Sequence, residues 1–225
     1  MDNRFFYFCH MQINAVIFDM DGLLIDSEPY WQEAGKETLL HYGKTLTTEQ
    51  YHRSTGLRTE EWIAHWFNHF GINDAHQKEA VDTIIRKAIE KIDRHAVLMP
   101  GAKEIIDAMQ AKMKVGLATS SPMSLVEIVL PKLNLSKPFD VIGSAEYLPY
   151  GKPHPQVYID TANALDISPL HCLAFEDSFN GMIAAKAARM KCVVVPAKDD
   201  YDAPKWQVAD GKMKSLEEFR LDAFN

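Results

Sequence analysis

Val16-Ile17-Phe18-Asp19-Met20-Asp21-Gly22-Leu23-Leu24 is an apolar run that stops at two aspartates two residues apart. A buried strand ending in this way delivers carboxylates to the rim of a sheet, where a ligand can sit. Asp19 and Asp21 point to the same side while the backbone stays extended, because side chains alternate along a strand. Two acids in one site divide the work, one attacking and the other shuttling protons. Gly22 then allows a change of direction that a side chain would resist. Taken alone the string also describes a strand followed by an ordinary Asp-Gly turn, so its meaning depends on the rest of the chain.

Residues 13–18 form the first predicted strand. Ser27 reads as the N-cap of a helix with Pro29 in its first turn, where a missing N–H costs little. From there to about Ala96 the pattern is helical, punctuated by Gly43, Gly56 and Gly71. Trp62, Trp66, Phe67 and Phe70 share one stripe, and Ala80, Val81, Ile84, Ile85, Ala88, Ile89 and Ile92 another. The pattern changes at Val97-Leu98-Met99-Pro100-Gly101. Helices then alternate with short apolar strands: 102–112 then 114–118, 122–134 then 139–143, 154–165 then 171–175, and 179–189 then 191–195. Such alternation predicts an α/β fold, a Rossmann-like parallel sheet with helices on both faces. The helical block interrupts it as a small cap over the strand ends. The division is 12–27 and 98–225 for the core and 28–97 for the cap. Residues 1–11 fit neither template and read as an N-terminal extension, with Met11 a candidate native start.

The chain has 225 residues, 47% of them apolar, and a formal charge of −7. This suits one core with a modest insertion and argues against a general nucleic-acid or anionic-membrane binder, either of which wants a basic face. An anionic ligand must then meet local positive charge. Cys9, Cys172 and Cys192 fall at no metal spacing and cannot all pair, which fits a reducing compartment. No apolar run approaches the ~18 residues of a membrane span. A cytoplasmic monomer acting on a small molecule is the expectation.

Three more polar clusters sit at predicted strand ends. In Leu117-Ala118-Thr119-Ser120-Ser121-Pro122 a hydroxyl and the backbone N–H groups of a helix start suit a phosphate oxygen, with Thr119 giving its hydroxyl and Ser120 its N–H. Ser121 also reads as a cap of that helix. Gly151-Lys152-Pro153-His154-Pro155 is a stiff loop able to aim the Lys152 ammonium at an anion. Glu176-Asp177-Ser178 leaves an apolar strand, and hard cations such as Mg²⁺ bind through one or two carboxylates plus phosphate oxygen. Asp177 is the direct ligand by this reading, with Glu176 supporting it directly or through water. Each cluster has an ordinary structural explanation, but a parallel sheet places all of them on one edge.

Together with DMDGLLIDSE, PGAKEII, ATSSP, GKPHPQVY and FEDSFNGMIAAKAA, these pieces resemble the haloacid dehalogenase (HAD) superfamily of phosphohydrolases over nearly the whole chain from Ile13. Within it the chain is similar to the β-phosphoglucomutase-like branch with a small helical (C1-type) cap, in the neighbourhood of bacterial sugar and hexitol phosphatases that also take 2-deoxyglucose 6-phosphate. The resemblance implies that Asp19 is the nucleophile and Asp21 the general acid/base. It implies that Thr119, Ser120 and Lys152 hold the phosphate beside the Asp19-Met20-Asp21 backbone. Asp19, the Asp21 carbonyl and Asp177 would hold Mg²⁺. Mutases of this branch carry a histidine where this chain has Trp31, which weakens a mutase reading. Arg189 replaces a glycine common among relatives at the end of the helix after Glu176-Asp177. A non-catalytic sugar-phosphate sensor would be expected to lack one of Asp19, Asp21 and Asp177, and none is missing.

Substrate choice falls to the cap. Arg58, in the Gly56-Leu57-Arg58-Thr59 turn, is a candidate for sugar hydroxyls or a second anion, and Trp31 for stacking on a sugar face. His65 and His69, spaced i, i+4 with Glu61 one turn earlier, have a metal-ligand spacing. Beside the aromatic stripe they read more simply as a solvated face.

Overall fold

The computed structural model describes residues 12–220. Six parallel strands, β1 (Ala15–Phe18), β2 (Lys114–Thr119), β3 (Val141–Ser144), β4 (Cys172–Glu176), β5 (Lys191–Val194) and β6 (Gly211–Lys212), form one sheet in the order β3-β2-β1-β4-β5-β6. The strand that carries Asp19 is therefore central, and all of its residues are fully buried. Phe18 stands opposite Leu117 on one side and Phe175 on the other. One residue further on, Asp19, Ala118 and Glu176 stand level at the carboxyl edge, and the Asp19 N–H extends the ladder to the Phe175 carbonyl at 3.0 Å.

Four helices, α1 (Glu28–His41), α2 (Thr48–Ser54), α3 (Thr59–Phe70) and α4 (Gln77–His95), lie between β1 and β2 in the chain. The rest, α5 (Ala102–Gln110), α6 (Met123–Leu133), α7 (Gln156–Ala164) and α8 (Phe179–Ala187), flank the sheet. Strand alternation splits the interior into two cores. Val16, Phe18, Leu117, Phe175 and Val193 pack with α5 and α6 residues, and this cluster continues into the inserted helices through Ala34, Trp62 and Phe67. Ile17, Ala118, Ala174 and Cys192 face Tyr158 of α7 and Met182 of α8 on the other side. Within the insertion α1 and α3 both pack on α4. The α/β reading with a parallel sheet and an inserted helical block is what the structure has.

Several local expectations are modified. The helical block breaks at a capping box, in which the Thr47 hydroxyl accepts from the Gln50 N–H and the Gln50 side chain from the Thr47 N–H. Ser27 precedes α1 without capping it, because its backbone is already helical and its hydroxyl is turned to Asp21. Ser121 likewise does not cap α6, whose N-cap is Pro122. Arg189 does adopt the left-handed conformation, at φ 69°, that glycine takes without steric cost. The two-residue β6 has too short an apolar pattern to predict. Cys172 and Cys192 are free and buried. Among the described residues no helix is long and apolar enough to cross a membrane. The reading of residues 1–11 as an extension, and of Met11 as a candidate native start, lies outside the described residues.

Candidate active site

Asp19 is buried at the end of β1, and the Lys152 ammonium donates to its Oδ1 at 2.6 Å. The same Nζ donates to Glu176 Oε1 at 2.6 Å and to the Ala118 carbonyl at 3.0 Å. Burial alone would lower the lysine's pKa; Asp19 and Glu176 overturn that and hold it above the ordinary value, so the ammonium stays charged. Burial pushes Asp19 well above the usual carboxylate range, with Lys152 only partly offsetting it. Glu176 is fully enclosed: Oε1 also accepts the Tyr158 hydroxyl at 2.6 Å, and Oε2 accepts the Ser178 hydroxyl at 3.2 Å. Each of its oxygens thus has a protein donor, and Glu176 anchors Lys152 from the side of the acidic edge. Tyr158, which the sequence reading did not single out, is reached only because α7 turns that face to β4.

Asp21 lies one strand period beyond Asp19 and is surrounded by donors. Oδ1 accepts from the Ser27 hydroxyl at 2.7 Å and the Trp31 indole N–H at 2.8 Å. Oδ2 accepts from the Ser121 hydroxyl at 2.7 Å. The Thr119 hydroxyl is 3.4 Å away and accepts the Ser121 N–H at 3.0 Å. Trp31, expected to stack on a sugar, thus turns its N–H to this carboxylate while still lining the cavity. The Ser120 hydroxyl donates to the Gly56 carbonyl of the insertion.

Asp177 completes the edge. One oxygen each from Asp19, Glu176 and Asp177 lies within 4.8 Å of the others. Burial, then Asp19, Glu28 and Glu176, push Asp177 well above the usual range. A set of hard oxygen donors with surplus negative charge fits a hard divalent cation better than a soft one. Asp19 and Asp177 are the donors nearest the cleft, beside the Asp21 backbone, with Glu176 behind them bonded to Lys152 and Tyr158. Gly22, at φ 72°, makes this approach possible, because a Cβ there would lie 2.1 Å from Asp177 Oδ2.

These groups form the floor of a cleft. The insertion builds the roof from Trp31, Gly35, Tyr51, Thr55, Leu57, Thr59, Trp62 and Ile84. The roof offers aromatic faces and hydroxyls. Arg58 does not line the cleft among the described residues. Its guanidinium donates to the Ala145 and Leu148 carbonyls at 3.0 and 2.6 Å. His65 and His69 are exposed, with rings edge-on to Trp66, and no cluster at that spacing is found among the described residues.

Glu28, which the sequence reading passed over, lines the cleft with Tyr51, whose hydroxyl is 3.5 Å from its Oε2. Burial first, then the Asp21 charge, push its carboxyl up to about 8. A folded pKa raised above the unfolded one gives stability that is complete below the unfolded value and is lost as pH rises through the folded value. In chelator, the stability advantage of Glu28→Gln over the wild type is therefore expected to grow by about 1–3 kcal/mol from pH 6 to pH 8, then level off. Denaturant unfolding at a series of pH values measures it; a pH-independent advantage contradicts the assignment.

The model of the family described as haloacid dehalogenase-like hydrolase matches residues 16–195. The chain is 43% identical over 209 residues to hexitol phosphatase B of Escherichia coli (strain K12), covering 92% of this chain and 94% of that protein. It is 32% identical over 179 residues to a phosphorylated carbohydrates phosphatase of Thermotoga maritima, covering 78% and 82%. Among solved structures, β-phosphoglucomutase from Clostridium difficile superimposes with a TM-score of 0.81 at 22% identity over 94% of this chain and 95% of that one, a likeness of fold. With the acid pair at the end of the central strand, the lysine between two carboxylates and a matching family model over most of its length, the chain belongs to the haloacid dehalogenase-like hydrolases.

Proposed function

We propose that the chain is a divalent-cation-dependent phosphatase of small sugar or polyol phosphates, working through a phosphoryl group carried on Asp19. That it is a phosphoric monoester hydrolase rests on its family and on relatives named as phosphatases. The observation that most supports the covalent route is the 2.6 Å contact between Lys152 Nζ and Asp19 Oδ1, which sets a fixed positive charge against the attacking carboxylate and offsets part of the burial that disfavours its ionised form. Asp19 attacks phosphorus in line. Asp21 in its protonated form gives a proton to the departing sugar oxygen, then as carboxylate takes one from the water that attacks the aspartyl phosphate. Lys152, the Thr119 hydroxyl and the Ser120 N–H face the phosphoryl oxygens, where positive charge is worth most in a water-poor cleft. Asp19, Asp177 and the Asp21 backbone carbonyl would hold the cation, which when bound neutralises phosphoryl charge. Mg²⁺ is the ion these oxygen donors suit best.

The aromatic and hydroxyl-bearing roof supports a neutral polyhydroxylated leaving group. Hexitol phosphates and 2-deoxyglucose 6-phosphate are the first candidates, and the name of the E. coli relative favours the former. A mutase reading finds Trp31, not a proton-transferring histidine, at Asp21. The test is phosphate release from a panel of sugar and polyol phosphates with Mg²⁺ and with chelator. Release from hexitol or deoxyhexose phosphates that stops in chelator is expected; isomerisation of β-glucose 1-phosphate without free phosphate contradicts the reading.

A further inference from the structure

Residues 55–61 of the insertion meet three separate segments at the sheet edge. The Asn180 side chain donates to the Thr55 carbonyl at 2.7 Å and the Ser120 hydroxyl to the Gly56 carbonyl at 3.0 Å. The densest contact is with residues 145–151. Besides Ala145 and Leu148, Arg58 reaches the Pro149 carbonyl at 3.3 Å and Glu61 Oε1 at 3.0 Å. Glu61 Oε1 in turn accepts the Gly151 N–H at 2.8 Å. A Cβ on Gly151 would stand 2.6 Å from Glu61 Oε2 and 2.7 Å from Arg58 Cγ, so the pair packs directly on backbone. The Arg58 side chain is 10% exposed and that of Glu61 28%, so these bonds are screened less than those of a surface pair. The next residue in the chain is Lys152.

We propose that Arg58 and Glu61 are positioning residues that set the 145–151 loop, and through Gly151 the Lys152 ammonium, when the insertion closes over the cleft. Arg58 bonds three carbonyls of the loop, and Glu61 holds the amide adjoining the lysine. With the insertion swung away, those carbonyls and that N–H lose their partners, and the residue that must sit between Asp19 and Glu176 loses its upstream anchor. Closure and the assembly of the charged site become one event. A displacement of about 1 Å at such a site can cost on the order of 10²-fold in rate. A substrate contact by Arg58 would instead act on substrate affinity.

The kinetic arm rests on the phosphatase reading; a second arm does not. Amide exchange at Gly151 and steady-state kinetics are measured for wild type, Glu61→Ala and Glu61→Gln, with thermal midpoints as a check on folding. Gln keeps an oxygen to accept the Gly151 N–H and Ala does not. Glu61→Ala is expected to speed Gly151 exchange and lower kcat, each by about tenfold or more, with KM within about threefold, while Glu61→Gln stays near wild type in both. Unchanged Gly151 exchange in Glu61→Ala, equal losses in both variants, or a raised KM at constant kcat would overturn the proposal. A wild-type chain that hydrolyses no sugar phosphate refutes the functional reading alone, because the exchange arm needs no substrate.

Discussion

Asp19→Asn is expected to remove essentially all turnover, by at least about 10⁴-fold in kcat, because an amide is not a nucleophile at phosphorus. The fold is expected to survive. Asn has the shape of Asp, and the wild-type carboxyl is one that burial already pushes well above its ordinary range. Removing that buried charge relieves repulsion with Glu176 and Asp21, while Lys152 keeps Glu176 as a partner at 2.6 Å. The variant should therefore melt no earlier than wild type in chelator while releasing no phosphate. Phosphate assays and thermal unfolding on the same preparation separate loss of chemistry from loss of structure, and turnover retained in Asp19→Asn would refute the covalent route.

Lys152→Ala is expected to fail in both respects. Its ammonium is the positive charge that Asp19 and Glu176 share at 2.6 Å each, and it is 1% exposed. Without it the buried carboxylates of Asp19 and Glu176 and the half-buried one of Asp177 face one another, and breaking a buried ion pair from one side costs about 3–5 kcal/mol. The rate should fall by at least about 10³-fold, since the transition state loses a fixed positive charge in a water-poor site. Lys152→Met restores the lost volume but not the charge. It should recover part of the packing loss and none of the rate, as denaturant midpoints and kcat/KM will report. A Met variant that recovers turnover would mean that Lys152 acts by filling space.

The sheet was readable because β1, β2 and β4 are short apolar runs ending in polar clusters, and parallel order follows from the intervening helices. The strand ends that bring Asp19, Thr119, Lys152 and Glu176-Asp177 together were legible for the same reason. What could not be read was which partner each polar atom chooses. Ser27 and Ser121 have the composition of caps, yet both hydroxyls turn to Asp21 across 6 and 100 residues of sequence. Glu176 and Asp177 are adjacent acids whose roles divide only because strand alternation turns one toward Lys152 and Tyr158 and the other toward Gly22. Arg58 looked like a substrate ligand because its turn faces the cleft's rim; its carbonyl partners lie 87 to 91 residues away, with no local signal to announce them. Glu28 was invisible for a similar reason, since its environment is made by Tyr51 and Asp21 only after the insertion packs down.

The most direct measurement is transfer of phosphoryl from ³²P-labelled 4-nitrophenyl phosphate to Asp21→Asn, whose leaving group needs no acid and whose second step lacks its base. The account predicts a burst of about one nitrophenolate per chain and label recovered on the peptide containing Asp19. Steady nitrophenolate release with no labelled chain, or label on any other residue, would contradict it.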